Sequence, residues 1–381
     1  MKVLITGGAG FIGTNLAAAL ARAGAELIVL DSLTAQVHGP DADFPAEMRE
    51  LENCDCVRGD VCDRELVRDL LVQVDAVVHL AAETGTGQSM YEILRYQRTN
   101  VQGTCTLVDV VVNERFKNIK KVIVASSRAV YGEGSYACRE HGTVYPRGRT
   151  MERMSGGRFE PECPLCGLKV EPVPTREDAP FAPLSFYGLT KQVQEQTVLM
   201  FGQALGIDAI ALRYQNVYGP GQSLNNPYTG LLAVYSGCAF SGAPFKVFED
   251  GLESRDFVYI DDVIAVTAAC LSPAVRGLHA VNVGSGVRTS VLEVAELIKR
   301  ETGSAAPVSI TGDFRIGDIR HNVADTSRMR ALTGIAPRWE FSAGVRRFVQ
   351  WAMKAPRVRN ELEESLEELR QRGMLGGRRS C

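Results

Sequence analysis

The sequence of 381 residues predicts an α/β fold built on a doubly wound parallel sheet. Short apolar segments alternate with helical segments from residue 3 to residue 125, and the same alternation resumes at residue 208. A glycine-rich turn directly follows the first apolar segment. Strands that alternate with helices form βαβ units, and right-handed crossovers then place helices on both faces of one sheet.

The predicted strands are short apolar runs, and they cover residues 3–6, 26–30, 54–58, 76–80, 121–125, 208–213, 256–260 and 280–283. The predicted helices carry apolar residues at helical spacing, and they cover residues 14–23, 64–72, 100–113, 187–203 and 262–271. This order of elements leaves residues 133–178 unexplained, because that stretch is rich in Gly, Arg, Pro and Cys and has little periodicity.

We therefore divide the chain into four parts. Residues 1–213 and 254–272 form a nucleotide-binding domain, residues 214–253 and 273–355 form a smaller α/β substrate domain, and residues 133–178 form a Cys/His-rich insertion. Residues 356–381 are charged and end in a Gly-Gly-Arg-Arg tail. We expect this last part to be a solvated helix with a frayed end, or alternatively a subunit contact.

Composition limits the possible partners. The net charge of −3 gives no reason to expect nucleic acid or an anionic membrane as the main partner. The N-terminus lacks a signal peptide pattern, and no run of 18 apolar residues is present. We expect a cytoplasmic protein with reduced thiols, no membrane partner and no nucleic acid partner.

The glycine-rich turn indicates a dinucleotide site. Gly8-x-Gly10-x-x-Gly13 lies between a predicted strand and a predicted helix, where backbone N–H groups bind a pyrophosphate at the helix N-terminus. This is the arrangement of a Rossmann fold. Asp31 ends the second strand and suits the adenosine ribose, and no Arg or Lys lies between Asp31 and Arg49. The sequence therefore favours NAD over NADP. Asp60 follows the third strand, either near the adenine or as a turn cap.

A possible acid–base pair lies at the start of the helix predicted at 187–203. Tyr187 and Lys191 are four residues apart, so both side chains lie on one face of this helix. A free tyrosine has a pKa of about 10 and is a poor base at neutral pH. A nearby cation favours the phenolate, and we expect Lys191 to lower the pKa of Tyr187 in this way.

The motifs together resemble those of the extended short-chain dehydrogenases. The matching segments are Thr6-Gly7-x-x-Gly10-x-x-Gly13, Asp60-Val61, His79-Leu80-Ala81-Ala82, Asn100-Val101, Ser126-Ser127, Tyr131-Gly132 and Tyr187-x-x-x-Lys191. The segments at 213–220 and 255–263 are similar to the nucleotide-sugar epimerase and dehydratase branch. The segments at 36–39, 87–92 and 226–230 further resemble a subgroup assigned as dTDP-L-rhamnose 4-epimerases.

The resemblance implies roles for individual residues. Tyr187 is the expected general acid and base, Ser127 binds the reacting sugar hydroxyl, and Lys191 holds the nicotinamide ribose. Asn100 is expected to order a water or backbone beside Lys191. The other expected cofactor-binding residues are Gly7, Gly10, Phe11, Ile12, Gly13, Asp31, Asp60, Val61, Leu80, Ala81, Ala82, Ser126 and Tyr214. The expected substrate-binding residues, besides Ser127, are Thr84, Arg128, Asn216, Val247, Arg255, Arg315 and Asp318.

Further basic and acidic residues have open interpretations. Arg213 and Asp261 are interpreted as structural. Arg320 and His321 either touch the nucleotide or face the solvent. By resemblance we also expect a homodimer formed through a pair of helices.

The resemblance favours NAD-dependent epimerisation at C4 of a nucleoside diphosphate sugar, with dTDP-L-rhamnose to dTDP-6-deoxy-L-talose as the specific expectation. The related 4,6-dehydratases carry an Asp-Glu pair directly after the active-site hydroxyl, whereas this chain has Arg128 and Ala129. A nucleotide-sugar 4-ketoreductase or dehydrogenase is the first alternative activity. A dehydratase or decarboxylase is the second, less favoured alternative. A protein that only senses NAD(H) is the alternative that is not an enzyme.

The insertion contains two short metal-binding patterns. Cys138-x-x-His141 and Cys163-x-x-Cys166 offer three thiolates and one imidazole, which is a ligand set for a closed, structural zinc site. Free thiols on a loop, or a disulfide, are the alternatives. Among the remaining cysteines, Cys105, Cys238 and Cys270 are expected to pack as small apolar residues, and Cys381 to be free and exposed.

Overall fold

The computed structural model describes residues 1–39, 42–224, 230–355 and 362–377. Residues 226–229 of the motif at 226–230, the loop at 225–229 and Cys381 lie outside the described residues. None of the helices in the described part of the chain combines the length and the apolar character that a membrane crossing requires.

Seventeen strands are described, and they are β1 Lys2–Thr6, β2 Glu26–Asp31, β3 Cys54–Arg58, β4 Ala76–His79, β5 Lys121–Ser127, β6 Tyr136–Cys138, β7 Gly142–Val144, β8 Glu171–Pro172, β9 Asp208–Tyr214, β10 Asn216–Tyr218, β11 Phe245–Val247, β12 Ser254–Tyr259, β13 Leu278–Val283, β14 Arg288–Ser290, β15 Val308–Ile310, β16 Phe314–Arg315 and β17 Leu375–Gly376. Seven of them form one parallel sheet in the order β13-β9-β5-β4-β1-β2-β3. The predicted doubly wound parallel sheet is confirmed.

The α-helices of the described residues are α1 Phe11–Arg22, α2 Ala35–His38, α3 Ala46–Arg49, α4 Arg64–Leu71, α5 Ile93–Tyr96, α6 Gly103–Asn113, α7 Met151–Ser155, α8 Phe186–Leu205, α9 Leu231–Ser241, α10 Ile260–Cys270, α11 Val291–Thr302, α12 Ser327–Thr333, α13 Phe341–Ala352 and α14 Leu362–Gln371. The six residues Gln97–Gln102 between α5 and α6 form a wider, π-type turn.

Two hydrophobic cores lie on opposite faces of the large sheet. In β1, Val3 and Ile5 belong to one core and Leu4 to the other, as the alternation of side chains along a strand requires. Helices on both faces cover these apolar side chains. Because the strands are parallel, the carboxyl ends of β1, β4 and β5 lie at the same edge of the sheet. The glycine-rich turn and Ser127 are at this edge.

The boundary between the two predicted domains differs from the expectation. β13 lies within the stretch 273–355 that we assigned to the smaller domain, yet it pairs with β9 at the edge of the large sheet. Conversely, β12, assigned to the nucleotide-binding domain, joins β10 and β14 in a small separate sheet. The apolar run of β13 alone does not reveal which neighbour it pairs with, because pairing is a tertiary property.

The insertion forms a three-stranded antiparallel sheet of β7, β6 and β8, together with α7. It is joined to the rest of the protein by buried ion pairs. Arg149 contacts Glu249 at 2.7 Å, and Arg320 contacts Glu160 of the insertion at 2.6 Å. Neither interpretation of Arg320 and His321 was right, because Arg320 is fully buried in this network and His321 bonds Glu160 at 3.1 Å.

The expectation of a solvated C-terminal helix is wrong. In α14, Leu366 and Leu369 are each only 3% exposed, and β17 pairs with β16. Most charged residues of α14 are exposed, although Glu368 is half-buried beside Tyr91, and the apolar residues of the helix pack against the protein. An amphipathic helix of this kind gains its stability from burial of one face.

Candidate active site

A large cavity of about 1190 Å³ runs along the carboxyl edge of the parallel sheet. Fifteen of the sixteen residues expected to bind the cofactor line this cavity, namely Gly7, Gly10, Phe11, Ile12, Gly13, Asp31, Asp60, Val61, Leu80, Ala81, Ala82, Ser126, Tyr187, Lys191 and Tyr214. The remaining residue, Asn100, lies behind the wall. The structure thus brings together segments that lie up to two hundred residues apart in the sequence.

The glycine-rich turn is packed too closely for side chains. A Cβ on Gly7, which has φ +67°, would lie 2.6 Å from the backbone nitrogen of Ala81, and one on Gly13 would lie 2.6 Å from the carbonyl oxygen of Gly8. Backbone at both positions is therefore tightly packed and, at Gly7, left-handed. The N-terminus of α1 consequently faces the cavity with its backbone close to any ligand that binds there.

Asp31 is held in place by the backbone around it. Its carboxylate accepts hydrogen bonds from Ala9 N–H at 3.0 Å and from Leu33 N–H at 2.8 Å. His38 Nε2 lies 3.7 Å from the same carboxylate. These contacts fix an anion at the end of β2, where it favours a ribose diol and repels a 2′-phosphate.

Asp60 closes a turn and also lies at the cavity. It lines the cavity, and its carboxylate also accepts a hydrogen bond from Cys62 N–H at 2.9 Å, which closes a turn. Arg98 pairs with the other carboxylate oxygen at 2.8 Å.

Tyr187 lies in the first turn of α8, which Ser185 caps by accepting a hydrogen bond from Gly188 N–H at 3.1 Å. The backbone N–H of Tyr187 donates to Ser89 Oγ at 2.9 Å, and Tyr96 packs edge-on against its ring at 6.5 Å between centroids. The ring is therefore fixed by its own helix, by the loop after β4 and by an aromatic neighbour.

Lys191 lies one turn further along α8 and is 3% exposed. Its Nζ donates to the carbonyl oxygen of Ala125 at 2.9 Å and lies 5.9 Å from the centre of the Tyr187 ring. Burial lowers the pKa of Lys191 to about 7. An anion bound nearby would therefore raise this pKa and favour the charged ammonium.

The groups that act on the Tyr187 phenol differ from the expectation. Burial raises the pKa of Tyr187, while a hydrogen bond with Ser127 and the positive charge of Arg128 lower it. Lys191, which we expected to be the cation that lowers this pKa, is instead turned to the backbone of β5. Burial also lowers the pKa of Arg128 to about 10, which still leaves its guanidinium charged at neutral pH.

Asn100 supports the site from behind the cavity wall. Its side chain accepts a hydrogen bond from Glu83 N–H at 2.7 Å and donates to the carbonyl of Glu83 at 3.1 Å and to Thr190 Oγ1 at 2.9 Å. Asn100 thereby joins the loop after β4 to the first turns of α8, beside Lys191. We expected it to order a water or backbone at this place, and the groups it orders are the backbone of Glu83 and the hydroxyl of Thr190.

A second cavity of about 190 Å³ adjoins the first. Arg255, Arg315 and Asp318 line it, as expected for substrate-binding residues. Arg255 pairs with Asp318 at 2.9 Å, and the guanidinium of Arg315 lies 4.9 Å from the centre of the Phe248 ring. Thr84 and Ser127 line the first cavity, and Arg128 and Asn216 line both.

Val247 is the predicted substrate residue that the structure does not place at either cavity. Its side chain is fully buried in the hydrophobic core, whereas its neighbours Lys246 and Phe248 line the second cavity. Adjacent residues of a strand point to opposite faces, so the prediction fell one position away from the lining residues.

Several buried polar atoms beside the second cavity have no hydrogen-bond partner among the described residues. They include Asn216 Oδ1, Arg315 Nε and Glu253 Oε2. Such atoms are costly to bury without a partner, which fits a polar ligand between them. Burial and the neighbouring Glu249 carboxylate raise the pKa of Glu253 to about 8.

Glu253 is a site residue that the sequence reasoning missed. It lies two residues before Arg255, which had been identified, and residues at this spacing share one face of a strand. That spacing was the signal available in the sequence. Arg213, in contrast, is structural as interpreted: it pairs with Glu195 and is 3% exposed. Asp261 is exposed in the first turn of α10 and lines neither cavity.

The four cysteine and histidine residues of the insertion converge. Their ligand atoms all lie within 4.8 Å of one another. Cys138 Sγ lies 3.8 Å from Cys166 Sγ and 3.6 Å from His141 Nδ1, and Cys163 Sγ lies 3.7 Å from His141 Nδ1. Tetrahedral zinc with Zn–S of about 2.3 Å and Zn–N of about 2.0 Å requires edges of roughly 3.5–3.8 Å. These three distances match such edges, and the Sγ atoms of Cys138 and Cys166 are not bonded to each other.

Of the cysteines expected to pack as apolar residues, Cys238 and Cys270 are buried. Cys105 is exposed, because it lies on the outer face of α6 while Leu107 and Val108 face the core.

The chain matches the model of the NAD dependent epimerase/dehydratase family over residues 3–153 and 163–284. It is 37% identical over 352 residues to dTDP-L-rhamnose 4-epimerase of Burkholderia thailandensis, a match that covers 92% of this chain and 94% of that protein. The chain therefore belongs to the NAD dependent epimerase/dehydratase family.

Solved structures agree with this assignment. MoeE5 in complex with UDP-glucuronic acid and NAD is similar with a TM-score of 0.74 and 27% identity, over 93% of this chain and 99% of that one. UDP-glucose 4-epimerase of Thermotoga maritima, solved with UDP-glucose, is similar with a TM-score of 0.74 and 26% identity over the same shares. The chain thus has the fold of the nucleotide-sugar epimerases.

Proposed function

We propose that this protein is an NAD-dependent 4-epimerase of a nucleoside diphosphate sugar. One observation carries the proposal: the two cavities meet at Thr86, Arg128 and Asn216, directly beside Tyr187. A dinucleotide in the first cavity and a sugar nucleotide in the second would bring their reactive ends together at the Tyr187 phenol.

Tyr187 and Ser127 have different roles in the proposed proton transfer. Tyr187 as phenolate takes the proton of the sugar 4-hydroxyl, and Ser127 hydrogen-bonds the same oxygen. NAD⁺ held by the glycine-rich turn and Asp31 would accept the C4 hydride and, once reduced, would return it to C4. Tyr187 would hold the proton of the 4-hydroxyl while the 4-keto sugar turns over, and would then give that proton back to the same oxygen.

The other parts of the site bind without reacting. Arg255 and Arg315 suit a diphosphate, because a guanidinium pairs with phosphate oxygens through two parallel N–H groups. Asp31, with no Arg or Lys before Arg49, favours NAD over NADP. A cofactor that is regenerated in each cycle has no need to leave, so we expect the purified protein to retain NAD.

For the substrate we propose dTDP-L-rhamnose, converted to dTDP-6-deoxy-L-talose. The support is the 37% identity with the Burkholderia thailandensis enzyme over nearly the whole of both chains. The dehydratase alternative is disfavoured, because positions 128 and 129 hold Arg128 and Ala129 rather than two carboxylic acids. A net 4-ketoreductase would need an exchanging cofactor, which the NAD preference disfavours.

The test is incubation of the purified protein with dTDP-, UDP- and GDP-sugars and detection of the C4 epimer by NMR. We expect an equilibrium mixture of epimers from dTDP-L-rhamnose without added cofactor. A 4-keto-6-deoxy product would indicate a dehydratase, and a reaction that proceeds only with added reduced cofactor would indicate a reductase. Bound NAD(H) without turnover of any sugar would indicate a sensor.

We further propose that Cys138, His141, Cys163 and Cys166 bind one structural zinc ion. The donor spacing supports this, and four protein ligands leave no open position for catalysis. Metal analysis of protein purified without a His-tag should give about one zinc per chain, and less than about 0.2 equivalents would contradict the site.

We also propose a cytoplasmic homodimer. Its support is a set of exposed apolar side chains on two adjacent helices, Ile93 and Leu94 on α5 and Leu189 and Met200 on α8. Light scattering that gives the mass of one chain would contradict the dimer.

A further inference from the structure

Residues 362–377, which we call the C-terminal arm, contact both the nucleotide-binding side and the substrate side of the site. On the nucleotide-binding side, Tyr91 donates a hydrogen bond to Glu368 at 2.9 Å, and the guanidinium of Arg372 lies 4.2 Å from the centre of the Tyr91 ring. A Cβ on Gly87 would lie 3.5 Å from Leu369 Cδ2, so this leucine packs over the loop after β4.

The arm is also fixed to the substrate side. Lys246 pairs with Glu363 at 2.7 Å, and β17 of the arm pairs with β16, so that Leu375 lies opposite Arg315. The next residue, Ile316, donates its N–H to the carbonyl of Met374 at 3.0 Å. The arm therefore holds the backbone that carries Arg315, one of the three arginines that line the second cavity.

Between these anchors, Leu366 reaches the second cavity. It lines this cavity together with Thr86, Gly87, Ile316 and Arg315, and it is 3% exposed. The family match ends at residue 284, so it does not account for this contribution.

We propose that the C-terminal arm is part of the nucleotide-sugar site and that Leu366 contacts the bound substrate. This inference rests on the proposed function for the identity of the ligand. Leu366 is the arm residue that lines the second cavity, which Arg128 and Arg255 also line. Its contribution is to binding, since its side chain is apolar and carries no acid or base.

The test is the variant Leu366→Ala, measured with NAD-loaded protein and dTDP-L-rhamnose by calorimetry and by steady-state kinetics. Removing an apolar contact of this size should raise Kd and KM about tenfold and leave kcat within about twofold. Glu367→Gln, on the exposed face of the same helix, is the matched control and should bind like the unaltered protein. Leu366→Met keeps the volume and should restore binding.

An unchanged Kd in Leu366→Ala would overturn the proposal. Equal loss of binding in Leu366→Ala, Leu366→Met and Glu367→Gln would also overturn it, since the effect would then be general disruption of α14. Binding is measured apart from turnover, so a ligand that binds without forming a C4 epimer refutes the proposed function and leaves the role of the arm intact.

Discussion

Replacing Tyr187 with Phe should lower the turnover of the nucleotide sugar by about 10³-fold or more, because the variant removes the phenol that interacts with Ser127 and Arg128 in the first cavity. The change deletes one oxygen and keeps the aromatic ring. Packing against Tyr96 and the N-terminal turn of α8 should persist. The loss is therefore expected in kcat, with little change in stability.

The measurement is steady-state epimerisation together with the NAD content of the purified variant. NAD content should match that of the unaltered protein, because the glycine-rich turn and Asp31 are untouched. Tyr145→Phe is the control, since Tyr145 is exposed on the insertion and lines neither cavity. Turnover by Tyr187→Phe within tenfold of the unaltered protein would exclude Tyr187 as the acid and base.

Replacing Cys163 with Ala should abolish zinc binding and unfold the insertion. The hydrophobic cluster around the predicted zinc site consists of Tyr136, Cys138, Val144, Cys163 and Val170, so two of its five residues are also predicted zinc ligands. Met154 and Phe159 of the insertion pack instead on Phe314 outside it, so little apolar packing remains around β6 and β7 without the metal. Structural zinc contributes roughly 10–16 kcal/mol of binding free energy in small zinc-dependent peptides, and this contribution would be lost.

The unfolding should also weaken substrate binding. Arg149 of the insertion donates to the carbonyl of Asp318 at 3.1 Å, and Asp318 pairs with Arg255 at the second cavity. We expect less than about 0.2 zinc per chain, rapid proteolysis within residues 133–178 and a raised KM. Cys105→Ala is the control, because Cys105 is exposed on α6. Full zinc content and unchanged proteolysis in Cys163→Ala would contradict the site.

Most strands of the large sheet were predictable because they are buried along their whole length and appear in the sequence as apolar runs, as β4 and β5 do. The edge strand β3 is only partly buried and carries Asp55 and Arg58, yet its predicted bounds also match the structure. The glycine-rich turn and the spacing of Tyr187 and Lys191 are local features, so their positions were also within reach of the sequence. Pairing partners are not local, which is why the predicted domain bounds do not follow the pairing of β12 and β13.

The C-terminal arm was missed for a similar reason. Leu366 and Leu369 have helical spacing, but they are outnumbered by charged residues in a segment that resembles a solvated helix. The burial of Arg320 was equally difficult to predict. A buried arginine is stable only when carboxylates surround it, and the partners of Arg320, which are Glu160, Glu249 and Asp250, come from two other segments. Only the fold brings these charges together.

The central claim is that hydrogen leaves C4 of the sugar and returns to the opposite face of the same carbon. It is tested most directly with a nucleotide sugar that carries deuterium at C4, incubated with the purified protein in ordinary water without added cofactor. We predict that the epimer retains the deuterium at C4. Loss of the label to water would contradict the account, as would an epimer that forms only when exogenous cofactor is added.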